Sequence, residues 1–445
     1  MSLTRGVPGN GYQRTMTRGT LLGKRSRIRL WRVGFSGLIM IQTLALSNRN
    51  LVSPSESVRG IATILMLGAT IWLCPPRWNR LDGKGRIIAV SLVLYGVFAC
   101  VSALWSPDGM RTLVQGMFAL VTVLIPVIAM AGRWTEAEVL RMDLTAVYVA
   151  LVGLNFVGVL VAPESTAARS GGAFHNPNAA GVIAAMVICL GFGLMFAANR
   201  KFRWMYIFPC QLLLLWVLLQ SQSRTSIAAI GGTLLYLGLR RASKRLRRVL
   251  VRLAVVLVAA LSLAGLLGFT IGGTFRSVYD RFEGTGDGSY LSGREFAWDF
   301  AVDEWRHSPV IGNGFRSAGA LFKSRGGFAT QSTIANVDSV HNGYLQVLLE
   351  LGIIGLGLLA VSATAALLRR SPVSSRSRLA IWIAASAMLV CGLFNQFGES
   401  TIIGSIAGFP LLYFSSVCAL GALRDDSEQH GQSGSTEPQV AADGV

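Results

Sequence analysis

Apolar runs long enough to cross about 30 Å of hydrocarbon start near residues 33, 60, 86, 111, 143, 179, 203, 224, 249, 341, 377 and 402. Short polar breaks separate most of them. The pattern predicts an all-α, polytopic membrane protein with about twelve transmembrane helices. One interval breaks the rhythm: residues 273–340, between the ninth and tenth helices, are largely polar. A loop that long in a compact protein is usually functional.

The chain thus divides into a basic N-terminal tail (1–32), helices one to nine (33–272), the long loop (273–340), helices ten to twelve (341–422) and a polar tail expected to be disordered (423–445). The first 32 residues carry no small-residue cleavage site, so the first apolar helix is expected to stay as a signal anchor. No internal repeat of the kind found in many secondary transporters is evident.

Composition agrees with lipid as the solvent: 52% of residues are apolar and 14% charged, against roughly 25% charged in a soluble domain. The formal charge of +19 could suggest nucleic acid, but 29 of the 41 Lys and Arg residues fall in the N-terminal tail, in alternate short loops or at Arg424. A positive-inside bias accounts for that distribution, with both termini cytoplasmic and the long loop on the opposite side. That loop holds seven basic residues and eight carboxylates. The six cysteines lie in or at the ends of apolar runs without metal or redox spacing, and read as small core residues.

Candidate chemistry gathers on the outer side. Ser292-Gly293-Arg294-Glu295 is a capping box that should open a helix running to about His307. Its stripe of Phe296, Ala297, Phe300, Ala301 and Trp305 opposes Glu295, Asp299 and Asp303, so the helix is expected to lie flat on the membrane interface. Arg294 in the first turn is disfavoured by the helix dipole, whereas anions are attracted there. A phosphate-type ligand for Arg294 answers that conflict, as does snorkelling to headgroups or pairing with Glu295. Arg224, in the break Ser221-Gln222-Ser223-Arg224-Thr225, repeats the arrangement close to hydrocarbon, where an Arg usually has a partner. Two guanidiniums can clamp a diphosphate; a structural Arg at a helix end is the alternative.

Of four histidines, only His175 and His341 sit at outer mouths of predicted helices. Imidazole titrates near neutrality and can take a hydroxyl proton, though a helix-cap histidine is commonly structural. Phe174-His175-Asn176-Pro177-Asn178 makes a turn and cap before the sixth helix, structural or ligand-facing. Glu350, deep in the tenth span and on the face opposite His341, reads as a packing residue or hidden ion pair. Outer-side carboxylates before the long loop stand alone, and Asp303-Glu304 is expected on a solvated face, so no metal and no cofactor are expected.

Ser223-Arg224-Thr225, Ser292-Gly293-Arg294 with Trp298, Ser308-Pro309-Val310-Ile311-Gly312-Asn313-Gly314, and His341-Asn342-Gly343-Tyr344-Leu345 through Glu350-Leu351-Gly352 resemble the O-antigen ligase and polysaccharide polymerase superfamily. Asn176-Pro177-Asn178 fits as well. The resemblance implies a GT-C-like membrane glycosyltransferase of the bacterial inner membrane, with the long periplasmic loop between helices nine and ten. Its donor would be an oligosaccharide on undecaprenyl diphosphate, held by Arg224 and Arg294. His341 would activate the hydroxyl of a glycan or lipid-linked glycan acceptor, inverting the anomeric carbon without metal.

His175, Asn176, Asn178, Trp298, Asn342 and Tyr344 become candidate substrate contacts under the same resemblance, with membrane lipid and other polysaccharide assembly proteins as partners and no nucleic acid. The Ser-Arg-Thr and Ser-Gly-Arg spellings look closer to members that polymerise exopolysaccharide than to ligases acting on a lipid A core. A transporter or flippase, or a non-enzymatic scaffold, would also fit a many-helix membrane protein. Transporters, however, usually bind substrate near the bilayer midplane on broken helices.

Overall fold

The computed structural model describes residues 18–44, 55–161, 174, 176–241, 294–325, 339–370, 375–400 and 408–423; the side chains of 18–25, 56, 161, 241, 294–296 and 325 lie outside this description. Its elements are α1 (Arg18–Leu44), α2 (Glu56–Leu73), α3 (Gly83–Val101), α4 (Gly109–Ala131), α5 (Ala137–Val161) and α6 (Pro177–Ala197). A continuous helical run, α7, joins Arg200–Phe202, a π-helical turn at Arg203–Ile207, and Phe208–Ser221. Then come α8 (Arg224–Arg241), α9 (Arg294–His307), α10 (Ala318–Arg325), α11 (Gly343–Leu367), α12 (Arg376–Asn395) and α13 (Phe409–Ala422).

Seven of the described helical segments are long and apolar enough to cross a membrane, and the chain is a polytopic helical membrane protein. Helices occur at every position expected from the apolar runs except the ninth, whose residues lie outside those described. The first helix begins at Arg18, within the basic tail. All six cysteines are free thiols.

Lipid tails give apolar helices no hydrophobic reason to associate, so close packing of small residues must do so. The centre of the bundle follows that rule. Among the described elements α6 and α12 pack most extensively, and both are buried nearly all round. Their backbones approach so closely at Gly193 that a Cβ there would lie 2.3 Å from the Cβ of Ala384. Around this antiparallel pair stand α7 and α5 against α6, with α8 and α13 against α12; α3 packs on both α4 and α11.

At the end of the bundle carrying most of the basic residues, buried ion pairs tie the helices together. Asp143 accepts from Arg32 at 2.9 Å, Arg133 at 2.7 Å and Trp134 at 3.1 Å, joining α1, the α4–α5 turn and α5. Arg369, fully buried, pairs through two nitrogens with Asp82, the N-cap of α3, and donates to the carbonyl of Gly421 at 3.0 Å.

The segment after α9 departs from a surface loop. α11 is broken at Gly352, whose φ of 61° and ψ of −162° are non-helical, and residues 308–314 fill the break with their backbone. Ile353 and Ile354 donate their N–H groups to the carbonyls of Pro309 (3.0 Å) and Val310 (3.2 Å), while Asn313 and Gly314 donate to those of Leu349 (2.9 Å) and Glu350 (2.8 Å). Backbone groups freed by a break inside an apolar helix need such partners. Glu350 is buried beside them, its carboxylate accepting from the Arg316 N–H at 2.7 Å and from Gln346 at 2.9 Å. It ties the inserted segment to α11. A Cβ on Gly352 would sit 2.3 Å from the Val310 carbonyl oxygen. Gly352→Ala is therefore expected to cost about 1–3 kcal/mol from backbone conformation alone, before that clash, and to lower the melting temperature of the detergent-solubilised protein.

Two expectations for α9 are corrected. Ala297 and Ala301, on the apolar stripe expected to face the membrane interface, are instead covered by protein: they cluster with Leu321 and Phe322 of α10 and Leu349 of α11. Glu304 is only 7% exposed rather than solvated, because its side of the helix turns inward beside Ala297 and Ala301, whereas Asp303 is exposed and pairs with Arg306 at 3.0 Å.

Candidate active site

Three helix N-termini converge on the C-terminal end of α12, each for a local reason. α6 starts at Pro177 with Asn176 as its cap, the Asn176 side chain accepting from the Asn178 N–H at 2.9 Å. α11 is capped by Asn342, which accepts from the N–H groups of Tyr344 (3.1 Å) and Leu345 (3.2 Å). α8 begins at Arg224 after Gln222, whose φ of 48° turns the chain sharply out of α7. Asn and Pro at the starts of α6 and α11 are favoured helix starters.

Residues 395–399 bind the three starts together. Asn395 accepts from Ser226 at 2.9 Å, anchoring α8. The Gln396 carbonyl accepts from the Gly343 N–H at 2.7 Å, anchoring α11. Gly398 lies against Thr225, so closely that a Cβ there would be 2.1 Å from its methyl group. Glu399 accepts from the Asn178 side chain at 2.7 Å, anchoring α6. Its other oxygen lies 3.6 Å from Nδ1 of His341, the carboxylate being 4% exposed and the imidazole 38% exposed.

The expected site residues fall around this hub. His341 has a φ of 54°, a left-handed conformation rare for a residue with a side chain. Such backbone strain persists only where surrounding contacts enforce it, and it clusters at functional sites. Those contacts include the Ser339 hydroxyl, which accepts from the His341 N–H at 3.3 Å, and Trp298, which donates to the adjacent Val340 carbonyl at 3.1 Å. Trp298 thereby docks α9 beside His341, and Arg294, whose side chain lies outside the description, begins that helix one turn earlier.

Arg224 is exposed at the first position of α8. Asn178 reaches the hub directly, whereas Asn176 and Asn342 serve their helices as caps and Tyr344 donates its hydroxyl to the Leu393 carbonyl at 2.8 Å. His175 lies outside the described residues, as does Ser292 of the capping box. Among the described residues, no three His, Cys, Asp or Glu side chains are grouped as a metal site.

Glu399 was not expected. The available signal was a lone carboxylate at the end of an apolar run, which in a membrane protein marks a functional candidate. Chemically, the hub joins a partly exposed imidazole beside a buried carboxylate, a guanidinium, and three helix N-termini that favour anions.

Two comparisons bear on this arrangement. Residues 209–360 match the family described as O-antigen ligase, a segment that contains Arg224, α9 and His341. Over 282 residues, 60% of this chain and 62% of the relative, the sequence is 27% identical to the exopolysaccharide production protein ExoQ of Rhizobium meliloti (strain 1021). The match thus spans less than two thirds of that relative's length. Both likenesses agree with the order of the motifs along the membrane helices: over part of its length the chain is similar to members of the O-antigen ligase and polysaccharide polymerase superfamily.

Proposed function

We propose that this protein is a membrane glycosyltransferase that acts on glycans carried by undecaprenyl diphosphate at the periplasmic face of the inner membrane, polymerising exopolysaccharide or O-antigen repeat units by inversion and without metal. The observation that carries this reading is the convergence of three helix N-termini with Arg224 and His341 around residues 395–399. Positive helix ends and a guanidinium suit a diphosphate leaving group, whose charge grows in the transition state. Arg294, at the start of α9, supplies the second cation.

In the reaction, the acceptor hydroxyl loses its proton to His341 as its oxygen bonds to the anomeric carbon. The bond from that carbon to the diphosphate oxygen breaks, and its electron pair leaves with undecaprenyl diphosphate. Charge stabilisation that other enzymes draw from a divalent cation comes here from the arginines and helix ends.

The likeness to ExoQ favours exopolysaccharide as the product. The description of the matched family favours a second reading, transfer of a finished glycan to a lipid core. Purified protein in liposomes, given undecaprenyl-diphosphate-linked repeat units with a chelator present, is expected to yield a ladder of longer lipid-linked chains. Activity that needs a lipid-core acceptor would select the ligase instead, and no glycosyl transfer with either acceptor would refute both. Arg224→Ala should raise the donor KM roughly ten- to hundredfold in this assay, the worth of a charged hydrogen bond of about 1.5–3 kcal/mol. An unchanged donor KM would remove Arg224 from the diphosphate site.

A further inference from the structure

We propose that Glu399 is the positioning residue for His341, fixing which ring nitrogen faces the acceptor; the inference rests on the reading of His341 as the base. Nδ1 of the imidazole faces the Glu399 carboxylate at 3.6 Å, an ion-pair separation rather than a hydrogen bond. Catalytic hydrogen bonds are often long before substrate arrives and tighten in its presence. A neutral imidazole carries one N–H, and a carboxylate accepts but does not donate, so the proton belongs on Nδ1 and the lone pair on Nε2. The lone pair on Nε2 is then left to take the acceptor proton from a side chain that is partly exposed, and the imidazolium formed stays beside a negative charge. The same division of labour operates in nucleophile–His–Asp triads.

The carboxylate is itself held. Its second oxygen accepts from Asn178 at 2.7 Å, and the residues before it are anchored by Ser226, Gly343 and Thr225. The backbone of His341 is set independently, in a left-handed conformation, so the carboxylate is left to determine the ring. A purely architectural Glu399 would need only to hold α6. Turnover kinetics in combination with His341 variants separate the two roles.

The test measures turnover in liposomes with undecaprenyl-diphosphate-linked repeat units for Glu399→Gln, Glu399→Asp and Asn178→Ala, each alone and with His341→Ala. Glu399→Gln is expected to lower kcat by about 100-fold with the donor KM unchanged. Glu399→Asp keeps the charge and should restore part of that loss. In the His341→Ala background, Glu399→Gln should cause no further loss, because the residue through which it acts is gone.

Wild-type kcat in Glu399→Gln, with His341→Ala impaired, would overturn the proposal and leave the base standing. An equal loss from Glu399→Gln with and without His341 would also overturn it. Wild-type turnover in His341→Ala would overturn the base reading and this inference with it. If the Gln variant fails to accumulate, Asn178→Ala takes its place: a smaller kcat loss that vanishes with His341→Ala supports positioning, and a loss that persists overturns it.

Discussion

Replacing His341 with Ala is expected to lower glycosyl transfer by about 10²–10⁴-fold, the usual worth of a positioned general base. The loss should fall on kcat, because the role proposed for His341 is proton transfer in the transition state, whereas the resting diphosphate is assigned to the arginines and helix ends. Residual transfer should remain, since electrostatic stabilisation of the leaving group does not depend on the imidazole. Folding should survive the change: the side chain is partly exposed, and the hydrogen bond to the Ser339 hydroxyl uses its backbone N–H rather than its ring.

The measurement follows product length and lipid attachment by gel, in membranes carrying the native lipid-linked glycan, with wild type and variant at equal expression. Loss of long chains with accumulation of single lipid-linked repeats marks a polymerase with His341 in its active site. Full-length chains retained on undecaprenyl diphosphate, with only their transfer to a lipid core lost, mark a ligase. An unchanged product pattern would end the catalytic assignment.

The second large effect is structural and lies at the other end of the bundle. Arg369→Ala should destabilise the protein by about 3–5 kcal/mol, because removing one partner of a buried ion pair strands the other. Arg369 is fully buried, and its loss would leave Asp82 and the Gly421 carbonyl without their shared donor. The consequence spreads, since the pair links the N-cap of α3 to the ends of α11 and α13. Burial alone would raise the pKa of Asp82, but the hydrogen bonds from Arg369 and the Gly85 N–H, with the charges of Arg369 and Lys84, outweigh it and hold it below the ordinary carboxylate value.

A carboxyl depressed in the folded state contributes stability above its unfolded pKa and loses it as pH falls through the folded one. The contribution is therefore whole at neutral pH and is lost progressively as pH falls below the ordinary carboxylate value and through the lower folded one. Thermal unfolding in detergent checks the first statement, where an unchanged midpoint would contradict it. The pair Asp82→Asn with Arg369→Met should be less damaging than Arg369→Ala, because no unpaired charge remains buried.

Much of the architecture is legible in the sequence, because each membrane helix must satisfy its own backbone hydrogen bonds and present apolar side chains over a fixed thickness. That constraint is local, so apolar runs located the described helices and left the long loop conspicuous. Arg224, Arg294 and His341 were legible for a related reason: a polar group at a helix mouth beside hydrocarbon is costly, and so stands out against its neighbours. The packing of α9 was not legible. Its apolar stripe suits lipid and protein equally well, and only α10 and α11 beside it decide for protein. The role of residues 308–314 was not legible either, since nothing local reveals that their backbone groups pair with those of a broken helix.

The sequence by itself therefore determined the membrane class, which stretches become the described helices and the residue types at their mouths, all consequences of solvation acting over a few consecutive residues. Tertiary structure alone decided which mouths meet. Asn178 and Glu399 are separated by 221 positions, and no pattern within either segment pairs them. Their contact is set by the antiparallel packing of α6 on α12, where small residues let two backbones approach. That approach carries a lone carboxylate to the imidazole of His341.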